Sequence, residues 1–379
     1  MPHSKCTDCH GIVKPYHKAS YRHQVFELPK QKFDITDYQI YHGKCTCCGT
    51  VTKGKLPATA STSQMGPNLL SYISVLTGQY HLSIRKVQSL LKSQFGDTFS
   101  TGAISEAQGR VSNMLTPIHQ ALHREIKYAP IVHVDETSHH RNTLAKTQWI
   151  WLASTGDTVF QKIMSSRRQE CAQHILGKKF TGIAITDQCA SYNWIDPLKH
   201  QFCWAHIIRN LQKMADYSGK GLTAHIGEKL VLMCQSIFRI QHRYEHNQIT
   251  VHQYQKRMHR LRRSFNMLLQ KGTKVPCKRY AGRCEFILKH EPSLWVFLSG
   301  PDIPLTNNEA ERCIRGSVIL RNISYGTSSE RGDQFRSRVL SVVETCKKRK
   351  LSALAVIANI VGAVIRREPY PDVFNLAKN

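Results

Sequence analysis

The sequence predicts a mixed α/β protein, and three observations carry that expectation. Short β-runs at Ile131 to Asp135, Gln148 to Ser154 and Thr158 to Met164, joined by brief connections, read as an antiparallel meander. After a helical stretch, Arg167 to Leu176, come an apolar strand, Gly182 to Asp187, a short strand, Gln201 to Trp204, and a helix, Ala205 to Ala215. Long polar, His/Arg-rich helical patterns (Leu230 to Ile240, Tyr254 to Leu269) then interrupt the chain between 220 and 300, and a helix returns after Thr306. The succession reads as β-β-β-α-β-α-β, the order of a ribonuclease-H-like core, here with an all-helical insertion.

Ahead of that core, residues 1–55 are rich in Cys and His, and a Pro/Ser/Thr/Gly stretch, 56–68, reads as a linker. Residues 69–128 are helical in pattern. Leu82, Val87, Leu90 and Leu91 recur at helical spacing, Gly96 breaks the run, and Ser100 can cap a new helix carrying Ile104 and Val111. Helix, glycine turn and capped helix is a helix-turn-helix pattern and a candidate DNA reader, with an ordinary helical hairpin as the alternative. The core is expected over 129–350, and 351–379 is expected as a C-terminal helix and tail.

Composition narrows the partner. Lys and Arg number 53 against 26 Asp and Glu, a formal charge of +27. The basic residues are dispersed along the chain, which suits an extended surface against a polyanion. The first residues hold no apolar signal segment, and Leu351 to Val364 is shorter than the roughly 20 residues that span a bilayer. A reducing cytoplasm is expected, so the 13 cysteines suggest metal before disulfides.

Cys6 and Cys9, and Cys45 and Cys48, are two C-x-x-C pairs followed by Gly11 and Gly49. Four thiolates suit one structural zinc at about 2.3 Å, with no open position for water. Cys47 is a rival ligand, and His3, His10 and His42 read as bystanders.

Three acidic residues sit where chemistry would want them. Asp135 lies on the first strand, Asp187 ends the buried strand, and Glu311 opens the late helix. Three carboxylates within about 4–5 Å repel by several kcal/mol at an effective dielectric near 20. Two divalent cations, magnesium or manganese, reverse that sign and serve phosphoryl transfer. Glu309 is the rival third carboxylate: positions 309 and 311 are about 200° apart on a helix, so one of them faces the metals. Cys203 and His206 have C-x-x-H spacing but supply only two ligands locally, so His206 reads as a supporting residue that orients a phosphate or donates a proton. Trp204 could stack on a flipped base, with core packing as the alternative. Arg312 and Arg315, following Glu311, are expected to face the phosphates of the scissile strand.

These motifs resemble transposases of the insertion sequence 66 family over nearly the whole chain. The family's zinc finger is matched by Cys6 to Cys9 and Cys45 to Gly49, and its first acidic motif by His133-Val134-Asp135-Glu136-Thr137. The second is matched by Thr186-Asp187 with Tyr192-Asn193, and the C-W-A-H box by Cys203-Trp204-Ala205-His206. The third is Asn307-Asn308-x-Ala310-Glu311-Arg312 with Ile314-Arg315, followed by Arg321-Asn322 and Glu344-Thr345-Cys346-Lys347. Thr306 stands where the family often has Asp, and Ile207 and Ile208 precede Arg209 where members often carry basic residues. The chain begins at the cysteine module, ahead of which many members carry a further region.

The resemblance implies catalytic Asp135, Asp187 and Glu311, with Glu311 selected over Glu309, and magnesium-dependent cleavage and strand transfer at an element's terminal inverted repeats. Double-stranded DNA, a second copy of the chain in a synaptic complex and accessory proteins of the same element are the partners expected, and no membrane. Base-specific reading is expected from residues 1–115. Two other readings are a catalytically inactive DNA-binding remnant or regulator of the element, and a plain metal-dependent nuclease. The intact acidic set argues against the first, and the cysteine module and helical insertion against the second.

Overall fold

The computed structural model describes residues 4–14, 16–18 and 21–376; His3 lies outside them. The cysteine module consists of two turns of the same design. In the first, the Cys6 N–H donates to Gly11 O (2.8 Å) and the His10 N–H to Cys6 O (3.1 Å). In the second, which joins β1 (His42–Lys44) to β2 (Val51–Lys53), the Cys45 N–H donates to Thr50 O (2.8 Å) and the Gly49 N–H to Cys45 O (3.0 Å). The left-handed residue is His10 (φ 59°) in one and Gly49 (φ 74°) in the other, so Gly11 is not the strained position of its turn. Neither turn belongs to an apolar core.

The helical run resolves into α1 (Pro67–Gly78), α2 (Ile84–Phe95), α3 (Thr101–Met114) and α4 (Thr116–Tyr128). Ser83 and Ser100 cap α2 and α3 by accepting the N–H of Lys86 and of Ala103, and Gly96 closes α2 in the left-handed region (φ 80°). Helix α3 turns its apolar face into the core. Ile104, Ala107 and Val111 are buried, and its exposed positions, Thr101, Gly102, Glu106 and Asn113, carry no basic side chain. The exposed cations of this hairpin, Arg85, Lys86 and Lys92, are on α2, and the half-buried Arg110 of α3 donates to Thr62 Oγ1 (3.3 Å). The pattern of apolar residues marks both helices but not which face is later covered.

The meander forms as expected from β3 (Ile131–His139), β4 (Gln148–Ser154) and β5 (Val159–Met164), antiparallel throughout. After α5 (Gln169–Leu176) come β6 (Ile183–Thr186) and β7 (His200–Phe202), each parallel to its neighbour, in a sheet of order β5-β4-β3-β6-β7. Two short 3-10 turns, Ala190–Tyr192 and Pro197–Lys199, connect these two strands. Pro197 sits at the first position of the second turn, where its missing N–H costs nothing.

A second core lies in the insertion, formed by α6 (Trp204–Ala215), α7 (Gly221–Glu245), α8 (Val251–Gly272), α9 (Lys278–Lys289) and α10 (Glu291–Leu294). The chain returns to the sheet through α11 (Asn308–Ser324), whose Ala310, Cys313 and Ile314 pack on Leu152 and Val159. Then α12 (Glu330–Lys348) covers the edge strand β5. Ser337, Ser341 and Thr345, at steps of four, accept the N–H groups of Ile163 (3.1 Å), Gln161 (2.8 Å) and Val159 (3.0 Å). Four helical residues rise about 6 Å and two strand residues slightly more, so the hydroxyls match the unpaired edge and close it to further strands.

The C-terminal helix, α13 (Ala353–Arg366), is no appendage. Ile357 and Ile360 share one core with Leu70, Ile73, Val87, Ile104 and Val111 of the N-terminal helices and Val339 and Val343 of α12. Removing residues 1–115 would expose that core, so sequence reading by the N-terminal part has to be tested by point substitution. Among the described residues, no helix is long and apolar enough to cross a membrane.

Candidate active site

Strand register sets the first two acidic positions level with each other on neighbouring strands. In the parallel pair, Ile131 lies opposite Ile183, Val132 opposite Ala184 and His133 opposite Ile185. Continuing that register by two residues brings Asp187, just past the end of β6, level with Asp135 in the middle of β3. Neighbouring strands are about 4.8 Å apart, so the backbones of two acids distant in sequence come close, while the Asp187 carboxylate lies within 4.8 Å of that of Glu136. Burial pushes the Asp135 carboxyl up to about 7, helped by the charges of Glu136, Asp187 and Glu311 and opposed by the Glu136 N–H (2.9 Å).

Glu136, next along β3, points to the other face of the sheet. It accepts from Arg167 Nε (2.6 Å) and from the fully buried Tyr192 hydroxyl. Burial and the Asp187 charge raise its pKa, which Tyr192 and Arg167 oppose. Arg167 Nη2 also lies 3.6 Å from Asp187, whose other oxygen accepts the Cys189 N–H (2.8 Å). Sequence reasoning assigned Glu136, Tyr192 and Arg167 no role of their own. The alternation of β3 could have marked Glu136 as a buried acid in need of a cation, but nothing local pointed to Arg167.

The third carboxylate is delivered by a buried hinge. The Asn307 side-chain amide donates to Val134 O (2.7 Å), its carbonyl accepts from His133 Nδ1 (3.2 Å), and its backbone N–H meets Cys203 Sγ (3.1 Å). Burial pushes His133 down to about 4, so the ring is neutral at pH 7 and serves as a fixed donor. One asparagine thus ties the start of α11 to β3 and to the residue capping α6. Glu311, on the first turn of α11, then has Oε1 3.6 Å from His206 Nδ1. That separation is too long for a hydrogen bond, and both buried atoms lack any partner. Glu309 is committed elsewhere. Burial raises its pKa, but hydrogen bonds from Lys348 and Arg312 outweigh that and hold it below the usual value.

The acids do not form one tight cluster. Among the described residues, the groups whose ligand atoms all lie within 4.8 Å of one another are Cys203, His206 and Glu311, and Glu136, Asp187 and Cys189. Asp135 lies between these two groups in the electrostatic sense, feeling both Asp187 and Glu311.

Several supporting residues have roles other than those expected. Trp204 is fully buried; its Nε1 donates to Leu294 O (2.8 Å) and its ring meets Trp295 edge-on at 5.2 Å, so no base can reach it. Arg312 pairs with Glu309 and so is turned from the Glu311 face, one residue being about 100° of helix. Arg321 Nη1 donates to Thr137 Oγ1 (2.9 Å) and Ser138 O (2.8 Å), clasping the end of α11 to β3. Arg209 and Arg315 are exposed, and Arg315 is one turn beyond Glu311. Trp204→Ala is expected to cost about 3–5 kcal/mol of stability, read by denaturant unfolding. Trp204→Phe should leave DNA affinity unchanged; weaker DNA binding by a stably folded Trp204→Phe protein would restore the stacking role.

The four module cysteines are held as two separate pairs. The amide N–H groups of Cys9 and Asp8 turn to the Cys6 sulfur and lower its pKa, and the Thr50 side chain and amide bring Cys48 down to about 7. No three of these four sulfurs lie within 4.8 Å of one another.

The profile of the transposase IS66 family matches residues 62–334, which contain Asp135, Asp187 and Glu311 and leave the cysteine turns outside. An uncharacterized protein of Sinorhizobium fredii, y4hP, is 22% identical over 413 residues, covering 96% of this chain and 71% of that protein. A second from the same organism, y4jO, is 41% identical over 74 residues, 20% of this chain and 23% of its own length. The family match spans most of the chain, from α1 into α12, and with the site geometry it leads to one conclusion: this chain belongs to the transposase IS66 family.

Proposed function

We propose that the chain cleaves DNA at the ends of an insertion element and joins the freed 3′ ends to target DNA by two-metal phosphoryl transfer. The observation that supports this reading is that Asp135 feels the charges of both Asp187 and Glu311, on a chain where β3 runs parallel to β6 and Asn307 ties the start of α11 to β3. The sheet order, three antiparallel strands followed by two parallel ones with an acidic helix beside them, supports a ribonuclease-H-like core.

The donor set fits divalent cations. Glu311 keeps a buried oxygen without a partner, and Asp135 is a carboxyl whose ionisation its surroundings oppose until positive charge arrives. Asp135, Asp187 and Glu311 would hold two magnesium or manganese ions, which when bound activate the attacking oxygen and stabilise the leaving 3′-oxygen. Arg167, bonded to Glu136 and 3.6 Å from Asp187, would steady both carboxylates. His206, partly exposed beside Glu311, can donate a proton or hold a phosphate oxygen, and Arg315 faces solvent one turn on. Cys6, Cys9, Cys45 and Cys48 would hold one structural zinc, for which two matching turns with amides aimed at sulfur are suited.

DNA would lie along the insertion as well as at the acids. Helix α8 carries six Lys and Arg and no acidic residue, and His252, Lys256, His259, Arg260 and Arg263 line an open groove on one side. Its 22 residues span about 33 Å, close to one turn of duplex.

The test is incubation of the full chain with magnesium and duplexes carrying either element ends or scrambled sequence. Nicking at the element end followed by joining to a second duplex is the expected result. Binding without cleavage would leave the inactive regulator, and cleavage without joining or end preference the plain nuclease. In parallel, Lys256→Ala, Arg260→Ala and Arg263→Ala together should reduce the slope of log affinity against log salt by about 2–3, at about 0.9 per phosphate contact. An unchanged slope would remove α8 from the DNA surface.

A further inference from the structure

C-x-x-H spacing supplies two ligands, and the fold adds a third. Cys203 Sγ, His206 Nδ1 and Glu311 Oε1 lie within 4.8 Å of one another, although Glu311 is on another helix. His206 Nδ1 and Glu311 Oε1 are both buried and both without a hydrogen-bond partner. The Cys203 sulfur faces the amides of Ala205 and His206, two and three residues on, and also that of Asn307. Asp8 and Cys9 stand in the same relation to Cys6 in the first cysteine turn, so the head of α6 repeats a metal-knuckle geometry inside the core.

The neighbouring group, Glu136, Asp187 and Cys189, is different in kind. Arg167 and Tyr192 already occupy Glu136, and Arg167 and the Cys189 N–H occupy Asp187. Its charge is compensated by protein.

We propose that Cys203, His206 and Glu311 form a transition-metal site, of the class that takes zinc, which shares Glu311 with the magnesium site and so withdraws that carboxylate when filled. One sulfur, one imidazole nitrogen and one carboxylate oxygen make a donor set that magnesium does not choose and zinc does. Three protein ligands leave the fourth position for water. Binding displaces the Cys203 thiol proton to solvent, so affinity rises with pH. The withdrawal of Glu311 rests on the assignment of Glu311 to the cleavage site; the zinc site itself does not.

Full-length protein carrying Cys6→Ser and Cys45→Ser, which breaks both N-terminal C-x-x-C pairs, is the material for the test. Equilibrium dialysis with zinc should still give one ion per chain, and cobalt in its place should give a thiolate-to-cobalt charge-transfer band. Adding Cys203→Ser should abolish the band, and adding His206→Ala or Glu311→Gln should each weaken zinc binding at least about tenfold, the smallest effect expected even of an outer ligand. Thermal unfolding of each metal-free variant checks that it remains folded. A Cys6→Ser, Cys45→Ser chain that binds no zinc would overturn the proposal, as would binding unchanged by Cys203→Ser and by Glu311→Gln. Neither readout uses DNA, so failure of zinc binding is separate from failure of the cleavage reading.

Discussion

Glu311→Gln is expected to abolish magnesium-dependent cleavage and joining, by at least about a thousandfold, while DNA affinity changes little. A metal that stabilises both attacking and leaving oxygens supplies several kcal/mol, and each 1.36 kcal/mol is about tenfold in rate. Asp135→Asn and Asp187→Asn should each do as much, and pairs of these changes should add almost nothing, because the three groups act as one site. Glu309→Gln is the control. It breaks the contacts with Lys348 and Arg312 and should lower the melting temperature, yet leave cleavage within a few-fold. Single-turnover cleavage of a labelled element-end duplex measures all four. An active Glu311→Gln protein beside an inactive Glu309→Gln protein would transfer the role to Glu309.

Asp135→Asn is expected to stabilise the metal-free protein above pH 7. The folded chain raises this carboxyl from 3.8 to about 7, so folding favours its protonated form. The resulting stability is fully present below about pH 4 and is lost as pH rises through 7, a span on the order of 4 kcal/mol. The Asn variant has no such loss. In EDTA the two proteins should unfold at similar temperatures at pH 4 and diverge at pH 8, with the variant the more stable. Magnesium should then raise the unfolding temperature of the unsubstituted chain at pH 8 and leave that of the variant nearly unmoved. Parallel pH profiles for the two proteins would show that Asp135 ionises freely and is no cation site. A carboxylate that costs stability until it is used is the usual price of a preorganised active site.

Much of the architecture was legible because it rests on periodicity. Alternating apolar residues marked the meander and the buried strand, and their ends agree with the observed strands to within a few residues. The exception is β3, which runs on to His139 because Glu136 to His139 continue the ladder with β4. Helices α2 and α3 were bounded by their own caps, Ser83, Gly96 and Ser100. The three acids were legible for the same reason, each standing at a strand or helix position that its neighbours defined.

What covers each face was not legible. The apolar stripe of α3 looks the same whether its other side meets DNA or α12, and Trp204 looks the same as a stacking platform or as the centre of the insertion's core. Arg312 was read as a phosphate contact and Arg321 only as a motif residue, but their partners, Glu309 and the end of β3, come from helix phase and from packing.

By itself, then, the sequence determined the order of strands and helices, the excess of positive charge, the paired cysteines and the acids, since each depends on local spacing or on composition. Only the tertiary structure decided which acidic groups lie near one another, that Glu309 pairs with Lys348, that Arg167 lies against two carboxylates and that Glu311 comes within 4.8 Å of Cys203 and His206. Those facts depend on parallel register between β3 and β6 and on a single buried asparagine joining α11 to the sheet. Contacts between residues of different elements, from Arg167 with Asp187 to Asn307 with Val134, leave no periodic trace in either segment, so they emerge only when the chain is packed.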